Sequence, residues 1–212
     1  MLLHILRHGQ TEFNRQGILQ GSSVDTDLNT MGRAQARAFY EHYQDIDFQL
    51  VVTSALKRSH QTVQHFIDKP LPWLQNPDIN EIRWGHHEGQ AVNAHWNAHW
   101  HDVKEAWNSG DLSARMPGGE SAAELNHRLE RFISWVKTQP AERVLVCTHG
   151  RTLRGLVSLL KGTSLAEMEG VQHANTGCYV VEYQGENEFK FLLENDTSHL
   201  LTMPSFAKGS GG

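Results

Sequence analysis

The sequence has little cysteine, no long apolar run and no excess of positive charge. Two cysteines occur, Cys147 and Cys178, and each lies in an apolar, strand-like segment, which suits small buried thiols better than a disulfide framework. No run approaches the roughly 18 apolar residues of a membrane span. Nineteen Lys and Arg against 24 Asp and Glu give a formal charge of -5, so no overall positive field attracts nucleic acid or an anionic membrane. We therefore expect neither as a partner.

The length of 212 residues fits one domain with room for an inserted lobe. Residues 1–7 have no basic segment, and their apolar stretch is too short for a signal peptide, so we expect a cytoplasmic location. The chain ends in Lys-Gly-Ser-Gly-Gly, which is typical of a linker. We predict a single domain over residues 1–204 and a flexible tail over residues 205–212.

Strand-like and helix-like segments alternate along the chain. Helices with one apolar face are predicted after N-caps at Thr30, Ser54 and Ser121, and Ser121 forms a capping box with Glu124. Strands are predicted at residues 2–6, 48–53, 144–147, 179–183 and 189–193, the last two as a hairpin. This alternation predicts an α/β fold, a three-layer α/β/α sandwich with a mainly parallel central sheet.

Residues 84–118 differ in composition from the rest of the chain. They contain four of the six tryptophans and five of the 14 histidines, and we predict that they form an inserted helical lobe. His95 and His99, spaced i, i+4, suggest a zinc site. Because no carboxylate or cysteine completes a recognised ligand spacing there, an exposed helix face is the favoured interpretation and no metal is predicted.

Polar residues follow three of the predicted strands. Arg7 and His8 follow the first strand, Ser54 and Arg58 the second, and His149 the strand at residues 144–147. Ligands of open α/β sheets bind at the carboxyl ends of the strands, so we expect these residues to meet at one edge of the sheet. The alternative for each histidine is a hydrogen-bonded ring at a strand end, and for the helix arginine a solvated side chain.

The chemistry of these side chains suits a phosphoryl group. Arginine presents a planar fork of donors that matches phosphate oxygens, and a neutral imidazole such as that of His8 is a competent nucleophile toward phosphorus. A leaving alkoxide also needs a proton. Glu81, at the start of the inserted lobe, is the candidate acid, and the alternative is a salt bridge from Glu81 to Arg83.

Four segments together resemble a known family. They read Arg-His-Gly-Gln-Thr-Glu-Phe-Asn at residues 7–14, Ser-Ala-Leu-Lys-Arg-Ser at 54–59, Asn-Glu-Ile-Arg-Trp-Gly at 80–85 and Thr-His-Gly at 148–150. In this order they resemble the histidine phosphatase (phosphoglycerate mutase-like) superfamily over most of residues 1–200. An Arg-His-Gly triplet alone is unspecific, whereas four segments in the right order are specific.

The resemblance implies an α/β sandwich, a phosphohistidine intermediate, and neither a metal nor another cofactor. Position by position, it implies that His8 is the nucleophile and that Glu81 is the acid and base. It also implies that Arg7, Arg58 and His149 form the phosphate clamp.

Further contacts with substrate or phosphate are implied for four residues. Asn14 matches an asparagine at the pocket floor, Gln20 and Gly21 match loop residues that approach substrate oxygens, and the backbone of Gly150 is expected beside the phosphate. Independently of the resemblance, Arg115 lies just before a Pro-Gly-Gly turn. We consider it a candidate for binding a second substrate anion.

Two features favour the phosphatase branch of this family over its mutases. Glycolytic mutases usually carry Arg-His-Gly-Glu-Ser where this chain has Arg-His-Gly-Gln-Thr, and their lobe has a basic cluster, for which this chain offers chiefly Arg83, Lys104 and Arg115. The leading hypothesis is therefore a metal-independent phosphomonoesterase acting on a small phosphorylated metabolite, such as a sugar phosphate. The alternatives are phosphoglycerate mutase-type transfer and a catalytically silent module that binds a phosphorylated ligand.

Overall fold

A six-stranded sheet forms the centre of the computed structural model, which describes residues 1–203. The strands are β1 (Leu2–Arg7), β2 (Leu50–Thr53), β3 (Trp73–Gln75), β4 (Arg143–Thr148), β5 (Cys178–Gly185) and β6 (Glu188–Asp196), in the spatial order β3-β2-β4-β1-β5-β6. The first four strands in that order pair in parallel, and β5 and β6 pair antiparallel. The predicted tail at residues 205–212 lies outside the described residues, and the domain boundary stays a prediction.

Helices cover both faces of this sheet. In the described chain they are α1 (Glu12–Gln16), α2 (Thr30–Tyr43), α3 (Lys57–Thr62), α4 (Gln64–Ile67), α5 (Ala94–Asn108), α6 (Ala122–Lys137) and α7 (Gly150–Leu160). Successive strand residues point to opposite faces. Val51 therefore belongs to the apolar cluster that includes Phe39 and Phe66 of α2 and α4, and Val52 belongs to the cluster that includes Leu156 of α7. The predicted α/β fold, with a mainly parallel sheet between two helical layers, is confirmed.

Several element boundaries differ from the prediction. Asn29, not Thr30, caps α2, because its side chain accepts a hydrogen bond from the backbone N–H three residues on (2.9 Å). Ser54 does not cap α3, which begins three residues later with no side-chain cap, because its hydroxyl is bonded to other groups described below. The second strand begins at Leu50 rather than residue 48, since the N–H of Phe48 is bonded within a turn to residue 46 (2.9 Å).

The edge strand β3 is not predicted from the sequence. Prolines at residues 70, 72 and 77 surround it, and that spacing predicts a connector. Two of its three residues are exposed, because an edge strand has a neighbour on one side only. No apolar alternation therefore marks this strand.

Helix α5 lies within the predicted lobe and packs through tryptophans. Trp96 and Trp100 both approach Trp84 edge-on, with ring centroids 5.3 Å apart in each pair. His95 and His99 lie on another side of the helix, with ring centroids 4.3 Å apart. Among residues 1–203, no group of three or more His, Cys, Asp or Glu has an arrangement that could hold a metal ion.

The remaining expectations from composition concern cysteine and membranes. Cys147 and Cys178 are both buried free thiols in strands of the central sheet, as predicted. No helix in the described part of the chain is long and apolar enough to cross a membrane.

Candidate active site

The carboxyl ends of β1, β2 and β4 lie side by side and bring His8, Ser54 and His149 together. The register pairs Arg7 at the end of β1 with Thr148 at the end of β4, and β2 pairs with β4 in the same sense. The ring centroids of the two histidines are 5.1 Å apart. The structure therefore places at one sheet edge the residues that the sequence predicted there.

His8 is a buried imidazole with a defined proton. Its Nδ1 lies 2.7 Å from the carbonyl oxygen of Gly9. A carbonyl only accepts, so Nδ1 carries the proton and the lone pair of the neutral ring is on Nε2. Burial, followed by the positive charges of Arg58 and Arg7, lowers the pKa of His8 well below its usual value. At pH 7 the residue is therefore a neutral imidazole with an unprotonated Nε2.

Arg58 is fully buried and organises the second histidine. Its Nε donates to Nδ1 of His149 (3.1 Å), so His149 carries its proton on Nε2 and donates it to Ser54 Oγ (2.7 Å). Two further N–H groups of the guanidinium donate to the carbonyl oxygens of Val24 (2.6 Å) and Gly21 (3.1 Å). Of the five donors that a guanidinium has, two remain for an incoming oxygen.

Burial also keeps His149 neutral. Burial, followed by the charge of Arg58, lowers its pKa well below the usual value. A neutral ring that accepts from the guanidinium at one nitrogen and donates at the other is fixed in orientation. His149 therefore contributes polarity to the site without adding a further positive charge to repel the arginines.

Arg7 supplies the second guanidinium of the site. Its Nη1 donates to the carbonyl oxygen of His173 (2.9 Å), while its Nε is buried without a hydrogen-bond partner among the described residues. Burial lowers the pKa of Arg7 to about 10, and the negative charge of Glu81 opposes that shift. The side chain is still a cation at pH 7, with a donor that is not used by the protein.

Glu81 is buried and receives hydrogen bonds from α7 and from its neighbour Ile82, and not from the side chain of Arg83. Its Oε1 accepts from the backbone N–H (3.1 Å) and hydroxyl (3.1 Å) of Thr152 and from the N–H of Ile82 (3.0 Å). Its Oε2 accepts from the N–H of Arg151 (3.2 Å). The carboxylate thus lies at the positive end of α7, the helix that begins directly after His149.

Asn14 and Gln20 make hydrogen bonds within the segment that follows β1. Asn14 Oδ1 accepts from the backbone of Thr11 (3.2 Å) and from Nδ2 of Asn175 (3.4 Å). Gln20 Nε2 donates to Thr11 Oγ1 (2.6 Å), and its Oε1 accepts from the hydroxyl of Thr26 (2.5 Å). Both side chains hold this loop in place, and their contacts with substrate stay predictions.

Gly21 and Gly150 lie where the neighbouring groups leave no room for a side chain. A Cβ on Gly21 would come within 2.1 Å of Glu88, and the carbonyl oxygen of Gly21 accepts from Arg58. A Cβ on Gly150 would lie 2.9 Å from the ring of His173. Both positions therefore leave no space for a Cβ, and the contacts of Gly21 and Gly150 with substrate or phosphate stay predictions.

The structure does not bring Arg115 into this group. Its Nη1 lies 2.9 Å from both carboxylate oxygens of Glu124, and both side chains are exposed. The surface cleft that Arg115 lines contains none of the histidines or arginines described above. Its proposed contact with a second substrate anion stays a prediction.

Sequence reasoning assigned no role to several residues that support the site, among them Thr62 and Asn175. Thr62 accepts from the N–H of Gly9 (2.9 Å) and donates to the carbonyl of Arg58 (2.6 Å). Asn175 donates to the carbonyl oxygen of His8 (2.9 Å). A signal for the asparagine exists in hindsight: it precedes β5, which pairs antiparallel with β1 and so begins where β1 ends.

A small cleft opens beside the carboxylate. Its volume is about 250 Å³, and it is lined by Ser22, Pro77, Asn80, Glu81, Arg83, Glu120 and Arg128. This volume is below the roughly 300–1,000 Å³ of pockets for drug-sized ligands. Glu81 lines this cleft, whereas His8, Arg7 and Arg58 do not. Two guanidiniums, a neutral imidazole and a carboxylate can bind a phosphate dianion and exchange protons with a leaving oxygen.

The chain is similar to known phosphatases and phosphoglycerate mutases. The model of the histidine phosphatase superfamily (branch 1) matches residues 3–197. A 2,3-bisphosphoglycerate-dependent phosphoglycerate mutase of Methylobacterium radiotolerans is 32% identical over 181 residues, which cover 81% of this chain and 84% of the relative. The uncharacterized phosphatase PhoE of Bacillus subtilis is 27% identical over 198 residues, 92% of this chain and 95% of the relative. The crystal structure of the alpha-ribazole phosphatase from Shigella flexneri superimposes with a TM-score of 0.80 at 25% identity, covering 92% of this chain and 96% of that one.

Proposed function

The chain belongs to the histidine phosphatase superfamily (branch 1), and we propose that it is a metal-independent phosphomonoesterase that acts through a phosphohistidine on His8. One observation carries the proposal: His8 is neutral, holds its proton on Nδ1, and lies beside Arg7 and Arg58 with Nε2 as the nucleophilic atom. The substrate is a small phosphorylated metabolite. The proposal includes a cytoplasmic location, because phosphorylated metabolites do not cross membranes unaided.

The first step transfers the phosphoryl group to the enzyme. Nε2 of His8 attacks phosphorus in line, an N–P bond forms, and the bond from phosphorus to the ester oxygen breaks. Glu81 in its protonated form gives its proton to the leaving oxygen, so an alcohol departs and a carboxylate remains. The guanidiniums of Arg7 and Arg58 stabilise the negative charge on the three equatorial oxygens.

The second step returns the enzyme to its starting state. The carboxylate of Glu81 takes a proton from water, and the water oxygen attacks phosphorus. The N–P bond breaks, its electron pair returns to Nε2 of His8, and hydrogen phosphate leaves. Both residues end in the protonation states in which they began, and the net reaction is hydrolysis of one phosphomonoester.

A mutase is the second candidate. The phosphoglycerate mutase of Methylobacterium radiotolerans, at 32% identity, favours it. Against it stands the engagement of Arg115 with Glu124, which removes one of the few basic side chains of the lobe. Labelled phosphate that passes from the phosphoenzyme to 3-phosphoglycerate, instead of to water, would identify the mutase.

Replacement of the nucleophile tests the proposal. We expect His8→Ala to abolish turnover of p-nitrophenyl phosphate in buffer without divalent cations, because no other group can form the N–P bond. His101→Ala, which removes an exposed histidine of α5, is the matched control and should retain turnover. Residual activity of the His8→Ala protein above about 1% of the parent's would eliminate the mechanism, since loss of a covalent nucleophile costs several orders of magnitude.

A further inference from the structure

The hydroxyl of Thr152 lies between two oxygens and can donate to only one of them at a time. Its Oγ1 is 2.7 Å from the backbone carbonyl oxygen of Asn80 and 3.1 Å from Oε1 of Glu81. A hydroxyl has one proton, and the side chain of Thr152 is fully buried. The hydroxyl therefore has two alternative orientations, one toward each oxygen.

A neighbouring guanidinium restricts the hydroxyl to these two orientations. Nη2 of Arg128 lies 3.5 Å from Oγ1 of Thr152, and a guanidinium only donates, so the hydroxyl proton points away from it. Arg128 is itself held in place, because it pairs with Glu120 (2.6 Å) and donates to the carbonyl oxygen of Asp78 (2.6 Å).

The charge of Glu81 determines which orientation is preferred. A hydrogen bond to an ionised oxygen is stronger than a bond to a neutral one, so the proton of Thr152 points to Oε1 when Glu81 is a carboxylate. When Glu81 is protonated, the nearer carbonyl oxygen of Asn80 is the better acceptor. The hydroxyl therefore turns whenever Glu81 gains or loses its proton.

The two oxygens of Glu81 differ in the number of donors that they meet. Oε1 accepts from the backbone N–H groups of Ile82 (3.0 Å) and Thr152 (3.1 Å) in addition to the hydroxyl. Within the described chain, Oε2 accepts from the N–H of Arg151 alone (3.2 Å). A proton on Oε1 would have to displace one of its donors, whereas Oε2 has room for a proton.

From these contacts we infer that Thr152 is a positioning residue: its hydroxyl keeps the transferable proton of Glu81 on Oε2 and stabilises the carboxylate when that proton leaves. The inference rests on the proposed phosphatase function, in which Glu81 is first an acid and then a base. In the first step the O–H bond at Oε2 breaks, the leaving oxygen takes the proton, and the hydroxyl turns from Asn80 to Oε1. In the second step a proton of water bonds to Oε2, and the hydroxyl turns back.

The charged groups around Glu81 keep their charge while the glutamate exchanges its proton. Four arginines face it from β1, α3 and α7 and are cations at pH 7, the last two also paired with Glu169: Arg7, Arg58, Arg151 and Arg154. Three nearby histidines are neutral there because burial lowers the pKa of each: His8, His149 and His173. A variant that moves a pH profile between about pH 5 and pH 7.5 therefore does not act through these groups.

The pH profiles of the two chemical steps test the inference. With ³²P-labelled glycerol 2-phosphate, rapid quenching gives the rate at which His8 is phosphorylated, and a chase with unlabelled substrate gives the rate at which the phosphoenzyme decays. The first rate needs the acid form of Glu81 and the second needs its base form. Thr152→Val removes the hydroxyl and keeps the shape of the side chain, so both profiles should move to higher pH by at least about 0.5.

Two further variants show whether the hydroxyl is responsible. Thr152→Ser keeps a hydroxyl and should return both profiles to those of the parent protein. The matched control is Thr138→Val at the exposed end of α6, which removes a hydroxyl that also donates to a backbone carbonyl oxygen (2.7 Å). It should leave both profiles unchanged. The ionisation of the substrate phosphate at about pH 6 is common to all variants and cancels in the comparison.

The outcomes separate this inference from the proposed function. A loss of rate at every pH without a shift of either profile is what a merely structural role would give, and it overturns the inference, as does a shift that Thr152→Ser does not reverse. If the parent protein forms phosphohistidine and the profiles coincide, the inference fails alone. If the parent forms none, the proposed function fails and the inference fails with it. Thermal unfolding checks that each variant folds, and Thr152→Ala takes the place of Thr152→Val if the valine variant does not.

Discussion

The pocket and the lobe each contain a pair of neighbouring histidines, and the surroundings of the two pairs are opposite. The rings of His8 and His149 are 5.1 Å apart, and those of His95 and His99 are 4.3 Å apart. In the pocket, each ring is buried, and neighbouring groups determine which nitrogen carries its proton. In the lobe, His95 is exposed and its closest aromatic neighbours include other histidines. Two neighbouring imidazole rings therefore do not by themselves form a reactive site.

The difference lies in the arginines and the burial that accompany the pocket pair. Arg58 gives His149 a fixed tautomer, and its charge, together with burial, keeps both pocket rings neutral. Within residues 1–203, neither ring of the lobe pair takes part in an ion pair. Variants that remove the cation, the acid or the lobe rings should act with decreasing strength.

Arg58→Ala is expected to have the largest effect. It removes a buried cation that holds His149 and the loop carbonyls of Val24 and Gly21. We predict a decrease of about 1,000-fold in kcat/KM for p-nitrophenyl phosphate, as for the loss of a preorganised electrostatic group, together with a lower Tm. The exposed neighbour Lys57→Ala is the control. A loss below tenfold would show that the pocket histidines do not depend on this arginine.

Glu81→Gln should have the next largest effect, and the effect should depend on the leaving group. For an alkyl phosphate we predict a decrease in kcat of about 100-fold, because general acid catalysis contributes 10²–10⁴-fold. For p-nitrophenyl phosphate, whose leaving group needs little protonation, the decrease should be smaller. Glu130→Gln, at an exposed position of α6, is the matched control. Equal losses for both substrates would contradict the assignment of Glu81 as the acid.

Lower pH should destabilise the fold through its buried histidines. Burial lowers the pKa of His4 to about 4 and that of His199 to about 4, so as pH falls below 6.5 the unfolded chain binds protons that the folded chain does not. The free energy of unfolding should therefore fall between pH 6.5 and pH 4, by at most about 1.4 kcal/mol per pH unit for each such histidine.

Urea unfolding at several pH values measures this slope. His199→Gln should reduce the slope by the contribution of one histidine. An unfolding free energy that is flat between pH 7 and pH 4 would contradict the effect of burial on His4 and His199.

The smallest effect is expected in the lobe. The double variant His95→Gln, His99→Gln should retain kcat/KM for p-nitrophenyl phosphate within about twofold, because surface substitutions remote from special features change little. A tenfold loss in this variant would mean that the lobe histidines take part in turnover, and would remove the distinction between the two pairs.

Much of the pocket could be predicted because it follows from topology. His8, Arg58 and His149 come directly after, or one turn after, parallel strands, and parallel neighbours end at the same edge of a sheet. The pattern of apolar residues in the sequence predicts the strands, and the ends of the strands predict the approximate positions of these three residues.

The remaining parts of the site depend on features that the sequence pattern does not carry. The sequence predicts that Ser54 caps a helix. In the folded chain its hydroxyl is hydrogen-bonded to His149 and to Ser59 instead, because a serine hydroxyl has several possible partners. The hydrogen bonds from Thr152 to Glu81 depend on how α7 is rotated against the segment before the lobe. His173 reaches the clamp because the antiparallel β5 returns beside β1.

The most direct test of the central claim is the chemical identity of the phosphoenzyme. Rapid quenching of the protein with a ³²P-labelled phosphomonoester, followed by peptide mapping and NMR, should find one acid-labile phosphate on Nε2 of His8. The hydrogen bond from Nδ1 to Gly9 leaves Nε2 as the nucleophilic nitrogen. A label on Nδ1 of His8, on His149, or on no residue of a protein that still turns over its substrate would contradict the mechanism.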